Sequence, residues 1–390
     1  MDGILFANRG GRAHADIFST KLRRVPARRV LLAEPRGFCA GVESAVKSLA
    51  WMVVLHRPPV FCVHAVVHNE HVVERFERLG VRFVSHPEQA AVGSAVLLSA
   101  HGSSPTAVEA ARARASVVVD AVCPLVTKVH HEIRSRAGAG GTVVYIGHEG
   151  HDEAVGAVAQ APGRVVRVES AADVARVAVS EGGPVAVLAQ TTLAQHAWDG
   201  VVAAARDRFG DVWLPPRADL CFATTNRQRA VRHLARRCDA VVVVGSPTSS
   251  NTRALAQTAR DAGCGRVLQV AGAGDLPPVE LGLVGVTAGA STPAGVVDQV
   301  VAALAPASIE PVPVVSEDEY FPLAPPIRRH LGRLDAAGAL PPSLRAAFRH
   351  DRTTTADELL DRIEAGELAG ALDAGGRVPA SVPGGGRPAS

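Results

Sequence analysis

Residues 34–47 read EPRGFCAGVESAVK. The run leading into them, RVLLA at 29–33, is apolar and β-rich. Pro35, Gly37 and Gly41 bracket Phe38 and Cys39, and apolar residues then recur at helical spacing: Val42, Ala45, Val46 and Leu49. Cys39 is therefore predicted in a tight turn between a strand and a helix, near the positive end of the helix dipole. A lone cysteine there reads equally well as a small buried hydrophobe. Repetition lowers those odds. Cys123, in VVVDAVCPLVTKVHHEI (117–133), and Cys221, in RADLCFATTNRQRAV (217–231), each follow an apolar or turn-like approach and open a polar, helix-like segment. The three cysteines cut the chain into similar thirds.

Working outward, one unit recurs: an apolar run, a short polar loop, then an Ala-rich helical segment. PVFCVHAVV leads to His68 and Asn69, SAVLLSA to His101, and TVVYIG to His151, Asp152 and Glu153. PVAVLAQ leads to Thr191 and Thr192, DAVVVVG to the loop ending in Ser249, Ser250 and Asn251, and LGLVGVTAGA to Ser291. Strands alternating with helices imply α/β layers with parallel sheets, whose ligands gather at the carboxyl ends of the strands. All six polar loops fall at such ends. Six loops in pairs and three cysteine turns predict three similar α/β domains around a pseudo-threefold centre.

The domains are expected at 30–123, 124–218 and 219–308. A flexible, arginine-rich extension (1–29) precedes them. An extended arm (309–330) follows, because the prolines of PVPVV and YFPLAPP cannot continue a helix or a central strand. The last stretch (331–390) reads as a partly disordered tail. Within it, residues 355–372 are predicted to form one short helix with Thr355 and Glu358 as a capping box.

Composition narrows the function classes. Charged residues make up 20% of the 390 and the net charge is +3, a balance that does not suggest a nucleic-acid partner. No apolar run reaches the roughly 18 residues of a membrane span, so no membrane partner is expected. The amino terminus lacks the apolar core of a secretory signal. Six scattered cysteines in so long a chain do not read as a disulfide framework, which predicts a reducing cytoplasm. Gly138 to Gly141 precede a strand, the wrong context for a dinucleotide loop, and no Walker-type Gly-Lys-Ser/Thr occurs.

Three thiolates leave one position open, whether on zinc or on one iron of a four-iron cluster. Structural zinc more often uses cysteine pairs two to four residues apart, and this chain has none, which favours iron–sulfur. Cys62, Cys238 and Cys264 lie in or near apolar runs or a helix end and read as structural. His68, His101 and His151 occupy equivalent places after strands. With Ser249, Asn251 and Ser291 they make a donor-rich set at helix N-termini that suits a diphosphate. Glu153 lies closest to its helix start in a mostly uncharged pocket and is a candidate proton donor, against the plainer reading of a solvated loop residue.

Taken together, PRGFCAGV, VVHN, SAHG, CPLVTKVH, GHDE, QTTL, CFATTNRQ, SSN and TAGAS resemble the 4-hydroxy-3-methylbut-2-enyl diphosphate reductase family, from Val30 to about Arg328. The resemblance implies a trefoil of three α/β domains, with small parallel sheets, around one central 4Fe-4S cluster held by Cys39, Cys123 and Cys221. It implies that His68, His101, His151, Thr191, Thr192, Ser249, Ser250, Asn251 and Ser291 surround the allylic diphosphate substrate. It implies that Glu153 supplies protons, that a ferredoxin or flavodoxin supplies electrons, and that isopentenyl and dimethylallyl diphosphate are the products. The chain departs from the family pattern at Asp152, where a Pro is usual, at Val155 and Ala157, where a Glu and a Thr usually follow, and at Pro247 and Thr248, where an Asn is common. Other readings are an enzyme on a similar three-cysteine design, such as a quinolinate-synthase-like one, and a divergent non-catalytic paralogue holding a cluster as a redox or iron sensor.

Overall fold

The computed structural model describes residues 27–56, 58–179, 183–216, 219–278 and 281–368. Strand β1 (Ala27–Glu34) leads into helix α1 (Ala40–Leu55). Then come β2 (Val60–Val63), α2 (Glu70–Arg78), β3 (Val81–Val84), β4 (Ala95–Leu98), α3 (Pro105–Arg114) and β5 (Val117–Asp120). Helix α4 (Pro124–Gly138) opens the next unit: β6 (Thr142–Ile146), α5 (Asp152–Val158), β7 (Val165–Val168), α6 (Ala171–Val174), β8 (Val185–Ala189), α7 (Gln195–Phe209) and β9 (Val212–Trp213). Helix α8 (Phe222–Ala235) opens the last: β10 (Ala240–Val244), α9 (Ser250–Asp261), β11 (Val267–Val270), β12 (Leu281–Ala288), α10 (Ala294–Ala303) and β13 (Ile309–Pro313). Helices α11 (Pro325–Ala336), α12 (Pro342–Arg349) and α13 (Ala356–Glu364) end the described chain.

The strands form three sheets, ordered β3-β2-β4-β5, β7-β6-β8-β9 and β11-β10-β12-β1-β13, and every pairing is parallel. Helices pack against the sheets, so central strands are apolar on both faces: Val241 to Val244 are all buried. The pseudo-threefold layout of three α/β domains is thus the observed architecture, and its wiring is cyclic. Helix α1 carries the chain from the five-stranded sheet to the β2 sheet, α4 carries it on to the β6 sheet, and α8 returns it to the five-stranded sheet.

That return alters the expected boundaries. Although β1 comes first in sequence, it does not join the sheet of residues 60–120; it sits between β12 and β13, with Leu31 opposite Gly285 and Glu310. Val30 to Ala33 are buried throughout, which suits a strand flanked on both sides. Ala27 to Arg29 are already strand, so they do not belong to a flexible extension. The arm expected at 309–330 is extended only in part: 309–313 is an edge strand, where Pro311 and Pro313 are tolerated, and α11 begins at Pro325.

The tail differs most. Through residue 368 it is helical and packed: Ile327, Leu331, Leu344, Leu359, Leu360 and Ile363 share one apolar cluster with Leu49, Trp51 and Met52. Lys47 is buried and donates to the carbonyls of Asp351 (2.6 Å) and Thr354 (3.1 Å). It also pairs with the Asp351 carboxylate at 3.2 Å. The capping box forms, with Glu358 N–H on Thr355 Oγ1 and Thr355 N–H on Glu358 Oε2. The helix stops at Glu364 and not at residue 372, and Gly366 follows at φ +77°. The expectations for residues 1–26 and 369–390 lie outside the described residues. Among the described residues no helix is long and apolar enough to cross a membrane.

Candidate active site

Each cysteine turn is built the same way. Cys39, Cys123 and Cys221 are the N-cap residues of α1, α4 and α8, the three crossing helices. Their backbone N–H groups donate to Ala290, Ala100 and Thr191 at 3.2, 3.1 and 3.1 Å. Those acceptors lie in the loops after β12, β4 and β8, so each turn is pinned to the loop of the sheet it leaves. The three thiols face one central cavity. Gly41 keeps the space between two of them clear: a Cβ there would stand 2.8 Å from Cys123 Sγ and 3.9 Å from Cys39 Sγ. Burial, reinforced by the neighbouring thiols, pushes the Cys123 thiol far up and that of Cys221 to about 12. A cationic centre would reverse that, because a coordinating thiol is deprotonated outright. These donors fit an iron–sulfur group. Cys62 and Cys264 are buried away from this cavity, and Cys238 packs on the apolar layer around β10.

The six polar loops close over the same cavity, and every site residue expected from the sequence lines it. The β2 and β4 loops bring His68 and His101, stacked with ring centroids 4.0 Å apart. The β6 loop brings His151, whose ring lies 4.7 Å from that of His68. As N-cap of α5, His151 accepts from the Glu153 N–H at 3.2 Å. Burial lowers the proton affinity of all three imidazoles, that of His151 to about 3. His68 Nε2 and Ser250 Oγ are buried without a hydrogen-bond partner. Such groups cost free energy unless a ligand satisfies them. Ser249 caps α9, Asn251 Oδ1 accepts from Ala290 N–H at 3.0 Å, and Ser291 Oγ donates to the His68 carbonyl at 3.0 Å.

Glu153 is 3% exposed. Its carboxylate accepts from Thr191 N–H at 2.7 Å and from Thr191 Oγ1 at 3.2 Å. Burial outweighs those bonds and raises its pKa to about 7, assisted by buried Asp219. Thr192 is held by Gln190 Nε2 at 2.9 Å. Asp152 points the other way, to His64 Nδ1 (3.2 Å) and His101 Nδ1 (3.7 Å).

Several participants were not singled out from the sequence. Thr224 Oγ1 lies 3.0 Å from Cys221 Sγ, one turn into α8. Arg227, 1% exposed, grips the carbonyls of Gly37 and Phe38 and the Glu317 carboxylate, tying the Cys39 turn to α8 and the arm. Phe321 on the arm lines the cavity and meets Phe222 edge-on at 6.2 Å. The CFATTNRQ block contained the signal for Thr224 and Arg227. Nothing local marks Phe321.

The fold and the cavity define a class: α/β trefoil proteins with one thiol per sheet unit converging on a shared polar cleft. The chain belongs to the LytB protein family, whose model matches residues 30–305. It is 42% identical over 315 residues to the 4-hydroxy-3-methylbut-2-enyl diphosphate reductase of Rhodopirellula baltica, covering 79% of this chain and 98% of that one. It is 42% identical over 317 residues to the enzyme of the same name from Mycobacterium ulcerans, covering 80% and 96%. The solved E-1-hydroxy-2-methyl-but-2-enyl-4-diphosphate reductase of Plasmodium falciparum superposes with a TM-score of 0.76 at 27% identity, over 80% of this chain and all of that one.

Proposed function

We propose that this chain reduces 4-hydroxy-3-methylbut-2-enyl diphosphate to isopentenyl and dimethylallyl diphosphate, using two electrons and two protons to remove the hydroxyl as water. The observation that carries the reading is the meeting, in one cleft, of three half-buried cysteines and a buried carboxyl whose pKa is raised to about 7. Cys39, Cys123 and Cys221 would hold a 4Fe-4S cluster, which when bound supplies a Lewis-acidic iron and a path for electrons. Ser249, Ser250, Asn251 and Ser291, with the three histidines, hold the diphosphate. Imidazoles kept neutral by burial gain protons beside such an anion, so substrate binding takes up protons. The anchored diphosphate fixes where the hydroxyl end lies. Glu153, protonated below about pH 7 and held by Thr191, delivers a proton to the departing oxygen. Thr192 completes the wall on that side.

A ferredoxin or flavodoxin supplies the electrons, in the cytoplasm. The relatives above are named as reductases, which favours the enzyme over a non-catalytic sensor. The test is complementation of cells lacking the reductase, together with anaerobic assay of the purified, cluster-loaded protein. Loaded protein that consumes no substrate with reduced methyl viologen would overturn the reading.

A further inference from the structure

Resting on that reading, a further question is where electrons enter. The three thiol corners differ at the surface. The Cys221 corner lies under the arm, with Phe321 against Phe222 and the carboxylates of Glu317, Asp318 and Glu319 alongside in the chain. At the Cys39 corner Glu34 and Arg36 lie 3.8 Å apart and offset one another, while Arg227 fills the turn from inside. The Cys123 corner is open. A surface groove there has an apolar floor of Val108, Val118, Val122, Pro124, Pro325 and Pro326. Val122 and Pro124 flank Cys123 directly, so their Cα atoms stand about 3.8 Å from its own.

The groove also has a charged rim with a simple origin. Residues three or four apart share a helix face. Val108 on α3 is followed four residues on by Arg112, which itself lines the groove. Pro325 on α11 is followed by exposed Arg328 and Arg329. Among the described residues none of these three guanidiniums has a carboxylate oxygen within salt-bridge distance, although Arg112 lies close enough to Asp120 to favour its ionised form. Lys128, four residues after Pro124, is already engaged with Asp219 at 3.3 Å. Two carboxylates lie nearby: Asp120, which lines the groove with Arg112 beside it and has one oxygen on the Val122 N–H at 3.1 Å, and Glu109, so the three guanidiniums outnumber them.

We propose that this groove is the docking surface for a small acidic one-electron carrier protein, with the apolar floor seating the rim of its redox centre and Arg112, Arg328 and Arg329 drawing in its carboxylates. Electrostatic complementarity of this kind sets encounter rate and orientation. Electron transfer falls steeply with distance, and a carrier seated here lies one residue from a cluster thiol.

The test uses the anaerobic, cluster-loaded full chain and an acidic plant-type ferredoxin. Arg112→Glu and the pair Arg328→Glu/Arg329→Glu should each raise the KM for reduced ferredoxin by about tenfold. They should weaken the calorimetric Kd for oxidised ferredoxin by a similar factor. Iron content and the methyl viologen-driven rate should be unchanged, because the small reductant needs no docking surface. Arg176→Glu, on the β6 sheet unit, serves as the control for net charge. Ferredoxin KM and Kd that ignore the reversals, or that respond equally to Arg176→Glu, overturn the proposal. A wild-type chain without viologen-driven turnover would instead sink the reductase reading, and the binding measurement would still decide the docking surface.

Discussion

The cysteine turns follow β1, β5 and β9 and the polar loops follow β2, β4, β6, β8, β10 and β12, all at the carboxyl ends of the same three sheets, but they repeat to different degrees. Each turn offers a thiol at a helix N-cap with its N–H pinned to a loop carbonyl of the sheet it leaves. The loops share only their backbone positions. One sheet unit contributes His68 and His101, the next His151, Glu153 and Thr191, and the third Ser249, Asn251 and Ser291. The difference suits the two kinds of ligand proposed. A cluster would be gripped alike from three sides. An allylic alcohol with a diphosphate at one end would not, and it needs one wall for charge and another for the proton.

The largest expected effect breaks the repeated part. Cys39→Ser, Cys123→Ser or Cys221→Ser should each remove or badly deplete the cluster, read as loss of brown absorbance and of about four irons per chain. Cys62→Ser and Cys264→Ser should leave iron content unchanged. One tightly bound zinc in colourless wild-type protein would overturn the assignment.

The next effect breaks the unrepeated part at the proton. Glu153→Gln keeps the size and much of the hydrogen bonding, so iron content and substrate binding should hold while turnover falls by about two to four orders of magnitude. The sign of the pH dependence follows from burial. A carboxyl raised to about 7 is protonated below that pH and ionised above it, so the wild-type rate should fall as pH rises through about 7. Asp152→Asn is the companion measurement. If it abolishes turnover while Glu153→Gln does not, the acid is the residue that faces His64 and His101.

Smaller effects sharpen the charge wall. Ser249→Ala, Asn251→Ala or Ser291→Ala should each weaken substrate binding by about 1–3 kcal/mol, since charge-assisted bonds to the diphosphate are lost, with iron content intact. Equal affinity for an analogue lacking the diphosphate would defeat that assignment. The smallest effect on chemistry is expected from Leu344→Ala in α12. Its cavity should cost about 2–5 kcal/mol of stability, seen as a lower Tm, with little change in turnover at low temperature.

Much of this was legible in the sequence because it is local. Apolar runs ending in His, Ser or Thr announce a strand and its loop, and Cys39, Cys123 and Cys221 stand out by their shared setting. What was not legible depends on distant pairing. Nothing in RVLLA says that β1 lies between β12 and β13. The arm and tail read as loose because their prolines and short polar stretches hide three helices, whose apolar faces find partners only on distant elements, α1 and the β2 sheet unit. Phe321 reaches the cavity by the same long-range route. Arg227 was visible as a letter, but its grip on the Cys39 turn is a contact across 190 positions of chain.

The placement of β1 orders events during synthesis. Ala27 pairs with Leu281 and Val30 with Ile309, so the first strand made waits for the last two. At about 5–20 residues per second that wait is roughly 10–50 s. The Cys39 turn hangs from β1, and its N–H is pinned to Ala290. The first of the three thiols to leave the ribosome is therefore the last to be positioned, only once the strands of the third sheet unit have been made.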